Sequence, residues 1–318
     1  MFVSNLTVFI LLFYTVIAHP SPHSPSSAPH LIYKFPNSTY AGGIENIAVT
    51  SYGHLLLNTN EAPQTYLLDP YAKAPSAHLL AEYPEALVTL GLAKVSKDDV
   101  FAVVAGNWTS TLEGIPGSFA IWLLDVSEPS IPTKRLVTKI PEAHALNGLT
   151  TIPGSPHLVL VADSELGAVW SVNIKTGLYI KAIEDPVFAN TTGVPIGING
   201  IHVHDSTLYF TNSASGIFGK VGIDSRGMAT SPIFIIARDA LGDNFDDFAI
   251  DAHGNTFISN HPDTIVEVAN TGVQRVVAKI SGPTSAVLGN QIGAGRVLYV
   301  PTIEGKVYSV HVCGGWDA

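Results

Sequence analysis

The sequence predicts an all-β chain folded as one six-bladed β-propeller, with four-stranded antiparallel blades around a central channel. Three observations carry that prediction. Short β-rich runs bounded by Gly, Asn, Asp and Ser recur throughout, as in Ile201 to Val203, Thr207 to Thr211 and Phe218 to Ile223. A step that opens the first run of each group returns at positions 45, 90, 147, 199, 246 and 284, at spacings of 45, 57, 52, 47 and 38 residues. A meander of this size cannot bury both faces of its own sheet, so copies must stack, and this period belongs to propeller blades. A large β-sandwich or barrel is the rival, but neither demands one motif at such an interval.

Taken in order, Leu31-Ile32-Tyr33 is a short β-rich piece that opens blade 1 or pairs with Val307 to Val312 of the last blade, closing the ring. Blade 1 continues with Glu45 to Val49, Leu55 to Asn58 and Thr65 to Leu68. Blade 2 has Leu90 to Ala93, Val100 to Val104 and Ala120 to Leu124, with Asn107 to Ser118 inserted as a rim loop. Blade 3 has Asn147 to Thr150, Leu158 to Val161 and Gly167 to Val172, and blade 4 is the group beginning at Asn199-Gly200. Blade 5 has Asp246 to Ile250, Thr256 to Asn260 and Thr264 to Val268; blade 6 has Thr284 to Val287, Val297 to Val300 and Lys306 to Val310. The glycines from Gly289 to Gly295 lack the strand–helix setting of a dinucleotide fingerprint and read as a hairpin loop, so no organic cofactor is expected.

Residues 1–18 read as a secretory signal built on the apolar run Val8 to Phe13, although the basic leading segment is missing; a membrane anchor is the other reading. Residues 19–30 are Pro/Ser-rich and expected to be flexible, leaving 31–318 as a single propeller domain. Asn37, Asn107 and Asn190 stand in Asn-x-Ser/Thr triplets, which after a signal fit glycosylation in a secreted chain. Asn107 has a second reading, as a residue facing a pocket. A net charge of −10 without a Lys/Arg cluster argues against nucleic acid. The single cysteine, Cys313, excludes an intrachain disulfide and reads as a buried thiol. A secreted monomer, free of the membrane once its signal is removed, is the expectation.

In a propeller the first residue of each innermost strand points at the channel, which here places Glu45, Leu90, Asn147, Asn199, Asp246 and Thr284 around one mouth. Two carboxylates and two amides are hard oxygen donors suited to one Ca²⁺ or Mg²⁺, and the lack of Cys or His among them argues against zinc. The same residues are also ordinary turn formers. His144 and His261 sit in loops beside this mouth and are candidates for substrate contact, whereas His202 and His204 share a strand face and read as half-buried. Trp108, Phe119, Tyr209, Phe218, Phe245 and Phe248 are candidate pocket walls, each with a core role as the alternative. No G-x-S-x-G elbow or H-E-x-x-H helix is present to support hydrolysis by a nucleophile or zinc.

A Glu opening blade 1, Asn-Gly opening two later blades and an Asp opening the next resemble the gluconolactonase-like (senescence-marker-protein-like) propellers. The resemblance implies Glu45, Asn147, Asn199 and Asp246 as ligands of one divalent cation and a lactone-hydrolysing activity. The chain departs from the family where Asp-Gly is usual, carrying Asp246-Asp247. A recurring Asp or Asn at the end of the second strand survives as Asp163, Asn212 and Asn260, and Asn212 is taken as a substrate contact. The leader, the glycosylation triplets and the apolar single domain are similar to fungal secreted propellers that act as intermolecular hetero-Diels–Alderases. That likeness implies a humulene-type terpene and a tropolone- or phenol-derived o-quinone methide as substrates, with Asn147, Asn199, Asp246 and His144 at the reacting centre and Trp108, Phe119, Phe245 and His261 around it. A metal-dependent lactonase or esterase is the second reading, and a non-catalytic binding propeller using a rim surface is the third.

Overall fold

A computed structural model describes residues 28–36, 43–191, 193–242, 244–289 and 296–312. The expected leader at 1–18, most of the Pro/Ser-rich segment, Asn37, Cys313 and most of the Gly289–Gly295 stretch lie outside them. The described residues form six four-stranded antiparallel sheets in a ring, with strands numbered β1 to β24 in chain order. In five blades the innermost strand comes first: β2 (Ile44–Val49), β6 (Val88–Lys94), β10 (Leu146–Thr151), β14 (Ile198–His204) and β18 (Asn244–Ile250). The sixth blade is composite. Its inner strands β22 (Val287–Leu288), β23 (Arg296–Pro301) and β24 (Lys306–Val312) receive β1 (His30–Lys34) as the outer edge, in a register from His30↔Ser309 to Lys34↔Lys306. Strand pairing between the two ends of the chain therefore closes the ring without a covalent staple.

The recurring opening step lies inside the strand rather than in a turn before it. In β10 the pairing with the next strand skips from Leu146 to Leu149; in β14 it skips from Ile198 to Ile201, and in β18 from Phe245 to Phe248. Strands β2 and β6 shift at the same place, at Ile44/Asn46 and Thr89/Leu92. Each shift is a β-bulge, which interrupts the strict alternation of faces and re-aims side chains beside a site. Its glycines answer to crowding. A Cβ on Gly91 would stand 2.3 Å from the Asn147 carbonyl oxygen, one on Gly148 2.2 Å from that of Asn199, and one on Gly200 2.4 Å from the Asp247 carboxylate. Glycine here lets neighbouring inner strands touch.

The core lies between blades. Phe119, Ile121, Leu146 and Val161 pack blade 2 on blade 3; Leu160, Ile198 and Phe210 pack blade 3 on blade 4; Phe218, Phe245 and Phe248 pack blade 4 on blade 5. Each such side chain contributes about 1.5–3 kcal/mol by leaving water. This corrects the aromatic walls: Phe119, Phe218, Phe245 and Phe248 are buried core rings. Phe119 covers Gly106, while Phe218 meets Phe248 edge-on at 5.3 Å. Their large apolar area is what stacks sheets. Thr284 likewise turns from the mouth to structure, its hydroxyl donating to the Ile44 carbonyl at 2.6 Å and tying blade 6 to blade 1.

Candidate functional site

The bulges set two tiers of side chains near the axis. The first holds Glu45, Asn147, Asn199 and Asp246, the expected mouth. Asp246 is its hub: one carboxylate oxygen accepts from the Asn199 amide at 2.8 Å and the other lies 2.9 Å from His261 Nε2. Asn199 also donates to Ser213 Oγ at 3.0 Å, and Ser213 is itself fixed on the Phe245 carbonyl. Glu45, half-buried, accepts from the Asn60 amide at 3.2 Å.

Electrostatics bind this tier into one unit. Burial, then the Asp246 charge, pushes the Glu45 carboxyl up to about 8. Burial also raises Asp246, and its hydrogen bond and attraction to His261 only partly offset that. Burial alone would disfavour a charged imidazole at His261, but the bond to Asp246, its charge and that of Glu45 outweigh it and raise the pKa. Each of the three is shifted toward its protonated form, which favours hydrogen-bond donors beside acceptors in the cluster.

The second tier was not foreseen as a site. Asp247 accepts from the Asn46 amide at 3.0 Å across the channel and from Ser285 Oγ at 2.8 Å, and lies 3.0 Å from His202 Nε2. Burial works to raise the Asp247 carboxyl, but His202 and the hydrogen bonds from Phe248 N–H and Ser285 prevail and lower it. The signal was available: the position after each opening residue reads Asn46, Gly91, Gly148, Gly200, Asp247, Ser285. Three glycines there mark contact, and one aspartate among them marks a buried charge that must find partners.

Beyond this tier the channel opens at the carboxyl ends of the inner strands into a cavity of about 410 Å³, lined by Ile47, Leu92, Leu149, His202, Val203 and Leu288 among others. The Asn46–Asp247–Ser285 contacts join blades 1, 5 and 6 at this level of the channel.

The remaining expected site residues fall elsewhere. Asn212 is fully buried; its amide donates to the carbonyls of Val187 and Ala189, and its oxygen accepts from Ser215 N. Fully buried and with both amide protons used inside the blade, it does not reach a substrate. Asp163 takes the backbone amides of His144 and Ala145, and Asn260 donates to Asp239. With Asn60 on Gly43 N and Asn107 on the Glu85 carbonyl, one rule covers five blades: the end of the second strand pins the segment entering the first. This corrects the reading of Asn212 as a contact and gives Asn107 a structural role. His144 is exposed on the rim, held through its backbone rather than joined to the Asp246 cluster. Trp108 is half-buried against the core between blades 2 and 3, within a loop that bridges Gly114 to Glu165. Asn147 is buried in the first tier, and Asn190 is exposed with its amide on the Pro195 carbonyl.

Among the described residues, no group of three or more His, Cys, Asp and Glu side chains is placed to hold a metal ion. Both Asp246 oxygens are committed, to Asn199 and His261. A divalent ion held by Glu45, Asn147, Asn199 and Asp246 would have hard oxygen donors, and it would have to compete with the hydrogen bonds that Asn199 and His261 make to Asp246.

No protein-family model matches the chain. It is 28% identical over 343 residues to a protein of Sarocladium schorii named "Putative hetero-Diels-Alderase asR5", covering 93% of this chain and 83% of that one. It is 25% identical over 353 residues to a Phoma sp protein named "Putative hetero-Diels-Alderase", covering 98% and 99%. Among solved structures, regucalcin of Agrobacterium tumefaciens, titled a calcium-binding protein, matches with a TM-score of 0.65 at 14% identity, over 92% of this chain and 96% of that one. A structure titled "putative gluconolactonase" matches with a TM-score of 0.62 at 13% identity, over 89% of this chain and 91% of that one. The chain is a six-bladed β-propeller with the fold of the regucalcin and "putative gluconolactonase" structures, and its sequence resembles, over nearly its whole length, the two proteins named "Putative hetero-Diels-Alderase".

Proposed function

We propose that the protein catalyses an intermolecular hetero-Diels–Alder addition at the mouth formed by the first tier. The substrates would be a humulene-type terpene alkene and an o-quinone methide derived from a tropolone or phenol, and the product a dihydropyran. The observation that carries this reading is the rigid donor cluster, in which Asn199 and His261 are both anchored on Asp246 beside Glu45. The names of the two sequence relatives support the reaction class.

In this addition the C=C–C=O unit of the quinone methide meets the alkene. Three π bonds become one, and one C–C and one C–O σ bond form. No proton moves and no group leaves, so the protein needs neither a nucleophile nor a base. Two contributions remain. Holding the partners face to face removes an entropic part of the barrier, several kcal/mol in well-aligned cases. A fixed hydrogen bond to the quinone-methide oxygen stabilises the charge that gathers there, worth about 3–4 kcal/mol where such donors have been removed from other enzymes. His261 is the donor assigned here, with Asp246 as its positioning residue and Glu45 as a second donor. The leader and the glycosylation triplets support action in or beyond the secretory route.

The test gives purified protein, with and without EDTA, a terpene plus a quinone-methide precursor, and in parallel a γ- or δ-lactone. One enantiomer of adduct without lactone turnover is the expected result. Chelator-sensitive lactone hydrolysis with racemic adduct would overturn it in favour of a metal-dependent lactonase. Inactivity on both would favour a binding propeller.

A further inference from the structure

A cleft of about 270 Å³ lies where the outer strands of blade 2 meet the link from blade 1, and the reaction proposed above makes no use of it. It is lined by Trp122, with Ala105 and Ala120 beside it and Pro84, Ala86 and Leu136 around it. The strand register explains the hollow. Ala105 stands opposite Ala120, and Trp122 opposite Leu136, so two methyl-sized side chains sit next to the indole where larger ones would fill the space. The indole is half-buried and steadied by Tyr83, which meets it edge-on at 5.6 Å. Lys139 and Glu85, also in the lining, pair at 2.7 Å and are both exposed. An aromatic ring bordered by charged hydrogen-bonding groups suits a sugar, whose C–H face packs on the ring while its hydroxyls stay among polar groups. The volume falls just under the ~300–1,000 Å³ of drug-sized sites, as a site for one sugar ring should.

Asn107 stands at the edge of this cleft. It follows Ala105 by two residues and so continues the same face of β7 (Val100–Gly106). Its side-chain nitrogen donates to the Glu85 carbonyl at 3.2 Å and its backbone N–H to Ser118 Oγ at 3.0 Å, and Glu85 and Ser118 both line the cleft. Its side-chain oxygen is turned inward and buried, so the nitrogen is the outward atom. Among the residues that pin blade entries, Asp163, Asn212 and Asn260 are buried, whereas Asn107 is half-buried and opens the triplet Asn107-Trp108-Thr109. Glycan transfer forms a bond from the sugar's anomeric carbon to the Asn107 nitrogen, and one amide proton leaves with the diphosphate of a lipid-linked donor. The second amide proton stays and serves the bond to the Glu85 carbonyl, so the pin and the modification are compatible.

We propose that Asn107 carries an N-linked glycan and that its first sugar, an N-acetylhexosamine, lies in the Trp122 cleft, covering the indole and fastening the rim loop to the link between blades 1 and 2. The occupant is then supplied by the chain itself. Tethered at Asn107, the sugar meets Trp122 at high effective concentration, so one stacking contact holds it where a free sugar would bind weakly. The inference is independent of the cycloaddition reading and needs only passage through the secretory route.

The test secretes the full chain from a yeast host and treats it, folded and unfolded, with endoglycosidase H, which cuts between the first two sugars of the glycan stem. Site-resolved mass spectrometry follows Asn107. Asn107 is expected to be occupied, and trimming of its glycan in the folded protein should be about tenfold slower than in the unfolded one, the size of one aromatic contact. Trp122→Leu, which removes the ring, should abolish that protection. Leu136→Trp, at an exposed position of the lining, should do the same by filling the cleft with the melting temperature retained, and decides the matter if Trp122→Leu fails to fold. An unmodified Asn107, equal trimming of folded and unfolded wild type, or protection that survives in the folded variants would overturn the proposal.

Discussion

The two mouths of the channel are built from the same inner strands, yet they differ in almost every physical respect. The first-tier mouth crowds Glu45, Asp246, His261 and Asn199 into one hydrogen-bonded cluster whose carboxyls are pushed up by burial. The opposite mouth is open and mixed, lined by Lys94, Thr150, Thr151 and the Asp247-bound His202 among aliphatic residues. What separates them is one residue step. Each bulge presents two consecutive residues near the axis, so Asp246 and Asp247 end in different environments: one strained electrostatically, the other satisfied. The comparison teaches that in this fold a site is specified by the residue that replaces glycine as much as by the one that precedes it.

The most severe way to break the arrangement is to crowd the contact between neighbouring inner strands. Gly148→Ala places a methyl 2.2 Å from the Asn199 carbonyl oxygen, and backbone cannot yield as a side chain can. A loss of more than about 3 kcal/mol in denaturant unfolding is expected, with both mouths disrupted together. Asp247→Ala comes next. It strands the Asn46 amide, Ser285 and His202, and should cost about 2–4 kcal/mol, with Asp247→Asn costing less.

Glu45→Gln should act in the opposite direction. Glu45 titrates at about 8 when folded against 4.5 in the reference state. Between those values the folded protein binds more protons than the unfolded one, so stability falls as pH rises through the window and levels off above it. His261, also raised, adds a loss of the same sign as pH rises through its folded value. Glu45→Gln should therefore flatten the decline, melting close to wild type near pH 4.5 and several degrees higher at pH 8 and above. The smallest effect is expected from divalent ions. Because an ion would have to compete with the Asn199 and His261 bonds on Asp246, millimolar Ca²⁺ or EDTA should move the melting temperature by less than about 1 °C; a large rise with Ca²⁺ would mean that the first tier binds it.

Much of this architecture is legible in the chain. Glu45, Asn147, Asn199 and Asp246 mark their blades at a constant place, and the β1–β24 closure follows from two short runs with no other partner. What the pattern does not reveal is the bulge. Asn-Gly reads as a turn from local preference, whereas here its glycine permits contact between strands of neighbouring blades, a long-range demand that no local rule contains. The same limit misplaced the aromatics: alternation tells that Phe245 and Phe248 are sided, but not which side faces the next blade. Asn212 erred for another reason. A polar residue recurring at strand ends looks functional, and only the geometry exposes it as the pin for the segment at Val187 and Ala189.

The most direct measurement compares the enantiomeric excess of the dihydropyran adduct formed by wild type, His261→Leu and Asp246→Asn, each verified as folded by circular dichroism. If the first-tier mouth guides the cycloaddition, wild type gives one enantiomer, and both variants slow by about tenfold to a hundredfold and drift toward the racemic background. Full rate and selectivity in both folded variants would contradict the account and move the chemistry away from Asp246.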